Sequence, residues 1–275
     1  MSAIRQQVQA LYSAWLWGDV PGAEEARRYL LGRHTGGRGI AREVALTSGI
    51  GYVPAAPDGG GAAHALAPAM AQQGATEREL REVSVVCAEA GTTGTQDFPP
   101  GGGYLVFPIR AITGDILGFK YRAVPGIARA DGLRYTGTSG GMGGAMFGWE
   151  RWTDADRRVI AVEGEIDQLS IETVRLKVPG LPRPLAWYGK ELTDERLRFL
   201  DGRVAHVLLA LDADGGGWDC GGGGVFGWRG GGGGGGGAPR NASLRSQTGP
   251  GGHPASGAAP PEGAGPQRCA HAWLA

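Results

Sequence analysis

Cysteine is scarce: Cys87, Cys220 and Cys269 stand far apart in 275 residues and form no Cys-x-x-Cys pair. That scarcity excludes a disulfide framework and a zinc ribbon, and it fits a reducing cytosol. No Cys/His cluster precedes residue 76, so no zinc site is expected in this chain; His34, His64 and His206 are scattered and read as structural or surface residues. Charge of neither sign is in excess, because 27 Lys and Arg balance 27 Asp and Glu. Without a global basic field, tight nucleic-acid binding by net charge alone is excluded, whereas a local basic groove is not. Long apolar runs are absent too. The N-terminal MSAIRQQVQALYSAWLWGDV lacks both a signal-peptide layout and the ~20 apolar residues that span a bilayer. A cytoplasmic protein with no membrane partner is the expectation.

Glycine, by contrast, is abundant, at 53 residues, where about 7% is usual. Much of the excess follows Asp214. From Gly215 to Ala275 glycine, proline and alanine dominate, no apolar period survives, and burial cannot offset the entropy of ordering. Residues 215–275 therefore read as a low-complexity, disordered tail.

Ahead of it, the chain is patterned. Residues 1–31 read as helix, with Ile4, Val8, Leu11 and Leu16 on one face, Ala26, Tyr29 and Leu30 inward, and Gly32 as the C-cap. A short helix and a turn into extended chain follow at Gly51–Pro54. The Ala/Gly/Pro-rich segment 56–75 reads as a linker, and 76–91 as a further helix. Strands at 104–110 and 115–124 flank a turn around Thr113-Gly114-Asp115, the clearest β-hairpin. The glycine-rich 134–149 reads as irregular. From Arg157 onward strands and helices alternate: strand Val159–Val162, helix Ile166–Val174, strand 184–188, a helix capped by Thr193 and closed by Gly202, and strand Val204–Leu211. That order implies an α/β fold with a parallel sheet and ligands at the carboxyl ends of its strands.

Two of those strands end in carboxylates. RRVIAVEGEIDQLSI delivers Glu163, Glu165 and Asp167, and VAHVLLALDADGGG delivers Asp212 and Asp214. Taken singly, either cluster is explained as well by helix capping as by metal binding. Together, on strands of one sheet, they favour a Mg²⁺ site serving phosphoryl transfer, because Mg²⁺ takes oxygen ligands and neutralises the transferring group. On and after the hairpin, Arg110, Lys120, Arg122 and Arg134 are candidates to hold nucleic-acid or nucleotide phosphates; a solvated charged strand face is the plainer alternative for each. Arg38 fits packing or capping equally well. Tyr121 and Tyr135 suit base stacking or ordinary burial.

VIAVEGEIDQLSI followed by LLALDADGG resembles the TOPRIM signature, in which EG..D and D.D motifs end strands of a small parallel sheet. The EGEID spelling is also similar to phage and mitochondrial primase–helicases. Upstream, ARRYLLGRHTGGRGIAREVALTSGIGYVP looks like the YL..RGI segment of DnaG-type bacterial primases, and VFPIRAITGDILGFKYRAV resembles their FPI…GFggR hairpin. LRYTGTSGGMGGAMFGW and WYGKELTDERLRFL are weaker echoes. The resemblance covers roughly 22–214 in family order. It implies a primase catalytic core: Mg²⁺ (or Mn²⁺) held by Asp212 and Asp214, Glu163 in metal or acid/base duty, and Asp167 as the EG..D aspartate. Single-stranded DNA template and NTPs are the implied partners, with a replicative helicase beside them. The implied division is an N-terminal helical part of the core at 1–55, the linker 56–75, a hairpin-bearing part at 76–150, and a TOPRIM domain at 151–214 whose covering helix after Asp214 is missing. The sequence departs from the family in lacking the arginines ahead of the hairpin and in reading FKYR for FGGR. Two rivals stand beside primer synthesis: a TOPRIM nuclease or topoisomerase-like strand cleaver, and a truncated nucleic-acid-binding remnant without activity.

The tail's Gly/Trp/Arg/Pro/Ala mixture is what G/C-rich codons give when read in a wrong frame. Sequencing the coding DNA past codon 214 tests this: a strand–helix pattern is expected in a shifted frame, and its absence in every frame removes the idea.

Overall fold

The computed structural model describes residues 2–33, 36–56, 63–128, 133–138, 145–188, 194–210 and 227–229. The chain divides into two compact units, 1–145 and 146–275. None of the described helices is long and apolar enough to cross a membrane.

The first unit is built on an antiparallel sheet. Its strands are β1 (Gly51–Val53), β4 (Tyr104–Arg110), β5 (Ile116–Ala123) and β6 (Tyr135–Gly137), in the order β1-β4-β5-β6. The hairpin β4–β5 turns at Gly114, whose φ of +87° is one that side chains avoid. Helix α1 (Ser2–Trp17) buries Val8, Tyr12 and Leu16, residues four apart on one face. Val8 and Tyr12 pack on Val53, Tyr104, Val106, Phe119 and Tyr121 of the sheet. Tyr12 meets Phe119 edge-on, with ring centroids 5.6 Å apart at 84°. At the end of α1, Arg27 of helix α2 (Ala23–Leu31) donates to the carbonyls of Leu16 at 2.7 Å and Gly18 at 2.8 Å, satisfying acceptors the ended helix leaves open.

Three segments ahead of the parallel strands differ from their sequence expectation, and in one of them, the glycine-rich 134–149 expected to be irregular, Tyr135–Gly137 pair with β5 as strand β6. The stretch 76–91 is not one helix. Thr76 and Glu79 form a capping box that starts α5 (Glu77–Glu82), and the helix then stops. Ser84 turns left-handed at φ +58°, and Val86–Ala88 continue as β2, paired with β3 (Thr95–Asp97). Valines at 83, 85 and 86 favour extended chain over helix. Within the expected linker 56–75, Leu66–Ala71 form helix α4 and bury Leu66 and Met70, while 57–62 lie outside the described residues. Between α2 and α3 (Arg42–Thr47) the chain doubles back on itself. Arg38 N–H donates to the Tyr29 carbonyl at 2.8 Å and Ile40 N–H to that of Leu30 at 3.1 Å. Gly37 allows that return, because a Cβ there would overlap the carbonyl oxygen of Gly32.

The second unit holds the parallel strands. β7 (Arg158–Val162) lies between β8 (Arg183–Ala186) and β9 (His206–Leu209), parallel to both. Helix α6 (Glu165–Arg175) joins β7 to β8, and α7 (Asp194–Leu200) precedes β9. Val159, Ala161, Leu185, Trp187, Leu200, Val204 and Val207 form the core, with Met146 and Trp149 from the unit's start. Gly227–Arg229 add a fourth strand, β10, antiparallel to β9. The tail 215–275, expected to be disordered throughout, thus supplies one edge strand. It includes Trp228, a β-favouring residue, and pairs with a strand edge whose backbone groups need partners. The rest of the tail lies outside the described residues.

Asp97 fastens β3 to the start of α4. It is 1% exposed and accepts from the backbone amides of Ala65 at 2.8 Å and Leu66 at 3.0 Å. Burial pushes its carboxyl up to about 6, against the downward pull of those amides. A carboxyl whose folded value is raised binds more protons folded than unfolded, so its contribution is fully present below about pH 4 and is lost as pH rises through 6. Urea unfolding from pH 4 to 7 should therefore show a more negative slope of stability against pH for the wild type than for Asp97→Asn, by at most about 1.4 kcal/mol per pH unit. Equal slopes contradict the assignment.

In the second unit, Arg183 of β8 donates to Asp156 at 2.9 Å and to Glu172 of α6 at 3.2 Å, and Arg175 donates to Glu172 at 2.8 Å. Burial pushes the Asp156 carboxyl up, but hydrogen bonds from Arg183 and Thr153 hold it below the ordinary range. Its stabilisation is present above its unfolded value near 3.9 and is lost as pH falls through the folded one. Arg183→Met should cost on the order of 2 kcal/mol at pH 7, because Asp156 keeps Thr153 and Glu172 keeps Arg175 but each loses a charge-assisted hydrogen bond, with the gap to wild type closing below about pH 4. A gap that persists in acid contradicts the ionic account.

Candidate functional site

In the second unit the candidates Glu163 and Asp167 stand where the central parallel strand ends. β7 finishes at Val162, Glu163 follows in the turn, Gly164 caps α6, and Asp167 lies in the helix's first turn. Gly164 keeps an extended backbone, and a Cβ there would sit 3.1 Å from the Asp167 carboxylate, which folds back toward the turn. Glu163 and Asp167 are both half-buried at the carboxyl end of the central strand, the rim at which open α/β sheets bind ligands.

β9 runs in register beside β7 as far as Ala210, whose N–H donates to the Ala161 carbonyl at 2.8 Å. Asp212 and Asp214 lie outside the described residues. Among the described residues no group of three or more His, Cys, Asp or Glu could hold a metal ion. The oxygen donors of Glu163 and Asp167 suit a hard divalent cation by chemistry.

What fixes Glu163 is the anchoring of α6. Gln168, fully buried, donates to the Pro184 carbonyl at 3.2 Å, and the Arg183–Glu172 pair ties the same helix to the same strand. Glu165 points inward and is 1% exposed. Beyond β8, Tyr188 adopts a left-handed φ of +56°. Burial raises its phenol well above the ordinary value, with Glu165 and Glu150 adding to the rise and Arg196 opposing it. Tyr188 therefore stays protonated.

In the first unit, β5 sorts its side chains by alternation. Phe119 and Tyr121 enter the core, and Lys120 and Arg122 leave by the other face. Arg122 is 4% exposed, yet it carries a charge. Its Nε donates to the Tyr29 hydroxyl at 2.8 Å, and its guanidinium lies 4.9 Å from the Tyr135 ring centre and 5.7 Å from that of Tyr29. Lys120 stands 5.2 Å and Arg134 5.7 Å from the same Tyr135 ring. Arg38 adds a fourth cation, its Nε donating to the Tyr29 hydroxyl at 2.9 Å and its guanidinium 5.2 Å from that ring. Burial pulls the Arg122 pKa down; Tyr29 raises it, and Arg38 and Arg134 lower it further as like charges.

The structure thus gathers Lys120, Arg122 and Arg134 around Tyr135. Arg110 is placed otherwise: it ends β4 and donates to the Gly114 carbonyl at 3.0 Å, bracing the hairpin turn. Tyr121 is fully buried, whereas Tyr135 is 37% exposed. Sequence reasoning put Tyr29 inward and left Arg38 open between packing and function. Their meeting with Arg122 is a tertiary contact that no local signal in the sequence announces.

No protein-family model matches the sequence, and a comparison with curated proteins gives no match. Solved structures do match. The RNA polymerase domain of Mycobacterium tuberculosis primase DnaG aligns with a TM-score of 0.62 and 21% identity, over 78% of this chain and 66% of that one. The Aquifex aeolicus primase with its zinc-binding and RNA polymerase domains gives 0.59 and 20%, over 77% and 47%. A DnaG primase catalytic domain bound to single-stranded DNA gives 0.58 and 20%, over 76% and 61%. The chain spans less than two-thirds of the length of each. The chain has the fold of the DnaG primase catalytic core.

Proposed function

We propose that the chain is a primase-type nucleotidyltransferase, joining ribonucleotides into short primers on a single-stranded DNA template. The observation that carries this reading is the primase-core fold over more than three-quarters of the chain. The acidic turn at the end of β7 and the cation cluster on β5 agree with it. In this reading residues 1–55 and 76–150 are the primase-like core, and 151–214 a TOPRIM domain.

Glu163, Asp167, Asp212 and Asp214 would hold Mg²⁺ or Mn²⁺, which when bound neutralises phosphate charge during transfer. In this reading Glu163 either helps hold a metal ion or takes the proton from the 3′-hydroxyl of the growing primer. Lys120, Arg122 and Arg134 bind template or NTP phosphates, and the exposed face of Tyr135 offers a ring for a base. Arg110 contributes by holding the turn. The resemblance adds a replicative helicase as a partner.

Glu163→Gln and Asp212→Asn should each lower ribonucleotide incorporation on single-stranded DNA by about a hundredfold or more. Both should leave DNA binding intact, because the binding cations belong to the other unit. Synthesis that survives both substitutions sinks the mechanism.

A further inference from the structure

We propose that the open edge of β6 is a docking site for an extended segment of a partner protein. The segment alternates acidic and apolar residues and joins the sheet as a further strand. The proposal does not depend on primer synthesis.

The edge follows from the register. β6 ends the order β1-β4-β5-β6, so only one of its sides is paired. The Arg134 carbonyl accepts from Ala123 N–H at 3.0 Å, and Thr138 N–H donates to the Phe119 carbonyl at 2.9 Å. Arg134 and Thr138 thus turn their backbone toward β5, and antiparallel alternation turns the N–H and C=O groups of Tyr135 and Gly137 outward. Among the described residues nothing pairs with these outward groups. Tyr135 is 37% exposed, and Gly137 has no side chain to cover its own backbone. Donor and acceptor therefore alternate along the edge. A DNA sugar–phosphate backbone offers acceptors alone and would leave the outward carbonyls unmatched. A peptide strand supplies both.

The two sides of the edge differ in chemistry. On one, Lys120, Arg122 and Arg134 stand around the Tyr135 ring. On the other, a cavity of about 320 Å³ opens beside Gly137, lined by Val86, Cys87 and Phe98. Phe98 belongs to the core side of the sheet, where it meets Tyr121 edge-on at 5.4 Å. An added strand sends successive side chains to these two sides in turn. Acidic residues then meet the cations, and apolar residues enter the cavity. Arg81 also lines the cavity, but it is paired with Glu77 at 2.9 Å and adds no call for a second acid there. A second copy of this chain fits worse. Its β6 would bring the same cations against these, and like charges across paired strands repel.

The test uses the full chain and a short labelled peptide of alternating aspartate and valine. Fluorescence anisotropy should show binding. Hydrogen exchange should slow at the Tyr135 and Gly137 amides and stay unchanged at Thr136, which already faces β5. N-methylation of one alternate set of peptide nitrogens, those facing the edge, should weaken binding about tenfold or more. N-methylation of the other set should leave it unchanged. Lysine in place of aspartate should also weaken binding about tenfold. Absence of binding, equal effects of the two methylations, or equal binding of the lysine peptide each overturns the proposal. Protection of the same amides by oligothymidylate and not by the peptide hands the edge to nucleic acid, and overturns it too.

Gly137→Pro removes one outward donor at an edge position, where proline is tolerated. It should weaken the peptide about tenfold, and unchanged affinity contradicts strand addition. Should that variant not fold, the methylated peptides decide on the wild-type chain.

Discussion

A strand must send successive side chains to opposite faces, and in β5 that constraint gives one stretch of backbone two tasks. Phe119 and Tyr121 lock the hairpin onto α1 through Tyr12, with Phe98 edge-on to Tyr121 at 5.4 Å. Lys120 and Arg122, between and beyond them, carry charge out of the opposite face. The core therefore sets the position of the cations, because an unmoved Tyr121 means an unmoved Arg122. The arrangement has a cost, since Arg122 is almost wholly buried and a buried charge needs compensation. Compensation here is aromatic and hydroxylic, from Tyr29 and Tyr135.

The second unit obeys a different constraint of the same backbone. Parallel strands all end at one rim, and β7 and β9 run in the same direction to it. Glu163 begins directly where β7 stops, and α6 is pinned to β8 by Gln168 and by the Arg183–Glu172 pair. These contacts are far from neutral decoration: helix position decides where the turn 163–164 lies. Charge is divided along α6, with Glu172 and Arg175 paired near its end, Asp167 in its first turn and Glu163 just ahead of it.

Legibility in the sequence followed the reach of each physical signal. The hairpin and the strand–helix alternation from Arg157 were readable, since alternation, apolar runs and caps act over a few residues. The segment 76–91 misled because Glu- and Arg-rich helix chemistry runs into the valines, and only the left-handed Ser84 marks where one gives way to the other. Leu66–Ala71 hid inside a loop-like composition, its helix being fixed by burial of Leu66 and Met70 in a core made elsewhere. Lys120, Arg122 and Arg134 were singled out by nearness to the hairpin and meet around Tyr135, whereas Arg110, singled out on the same ground, donates to the Gly114 carbonyl at the turn. Tyr29 was out of reach altogether, because nothing local announces a hydroxyl that will meet an arginine so far along the chain. The acids Asp212 and Asp214, singled out by motif, lie outside the described residues.

The most direct test of the account is the identity of the product made by the wild-type chain. A single-stranded DNA template of defined sequence would be incubated with the four NTPs and Mg²⁺ or Mn²⁺, and all nucleic acid then analysed by mass spectrometry. Short RNA complementary to the template, formed only with NTPs and the metal ion present, is the predicted result. Shortened template DNA appearing without NTPs, or no new strand under any metal condition, would contradict it.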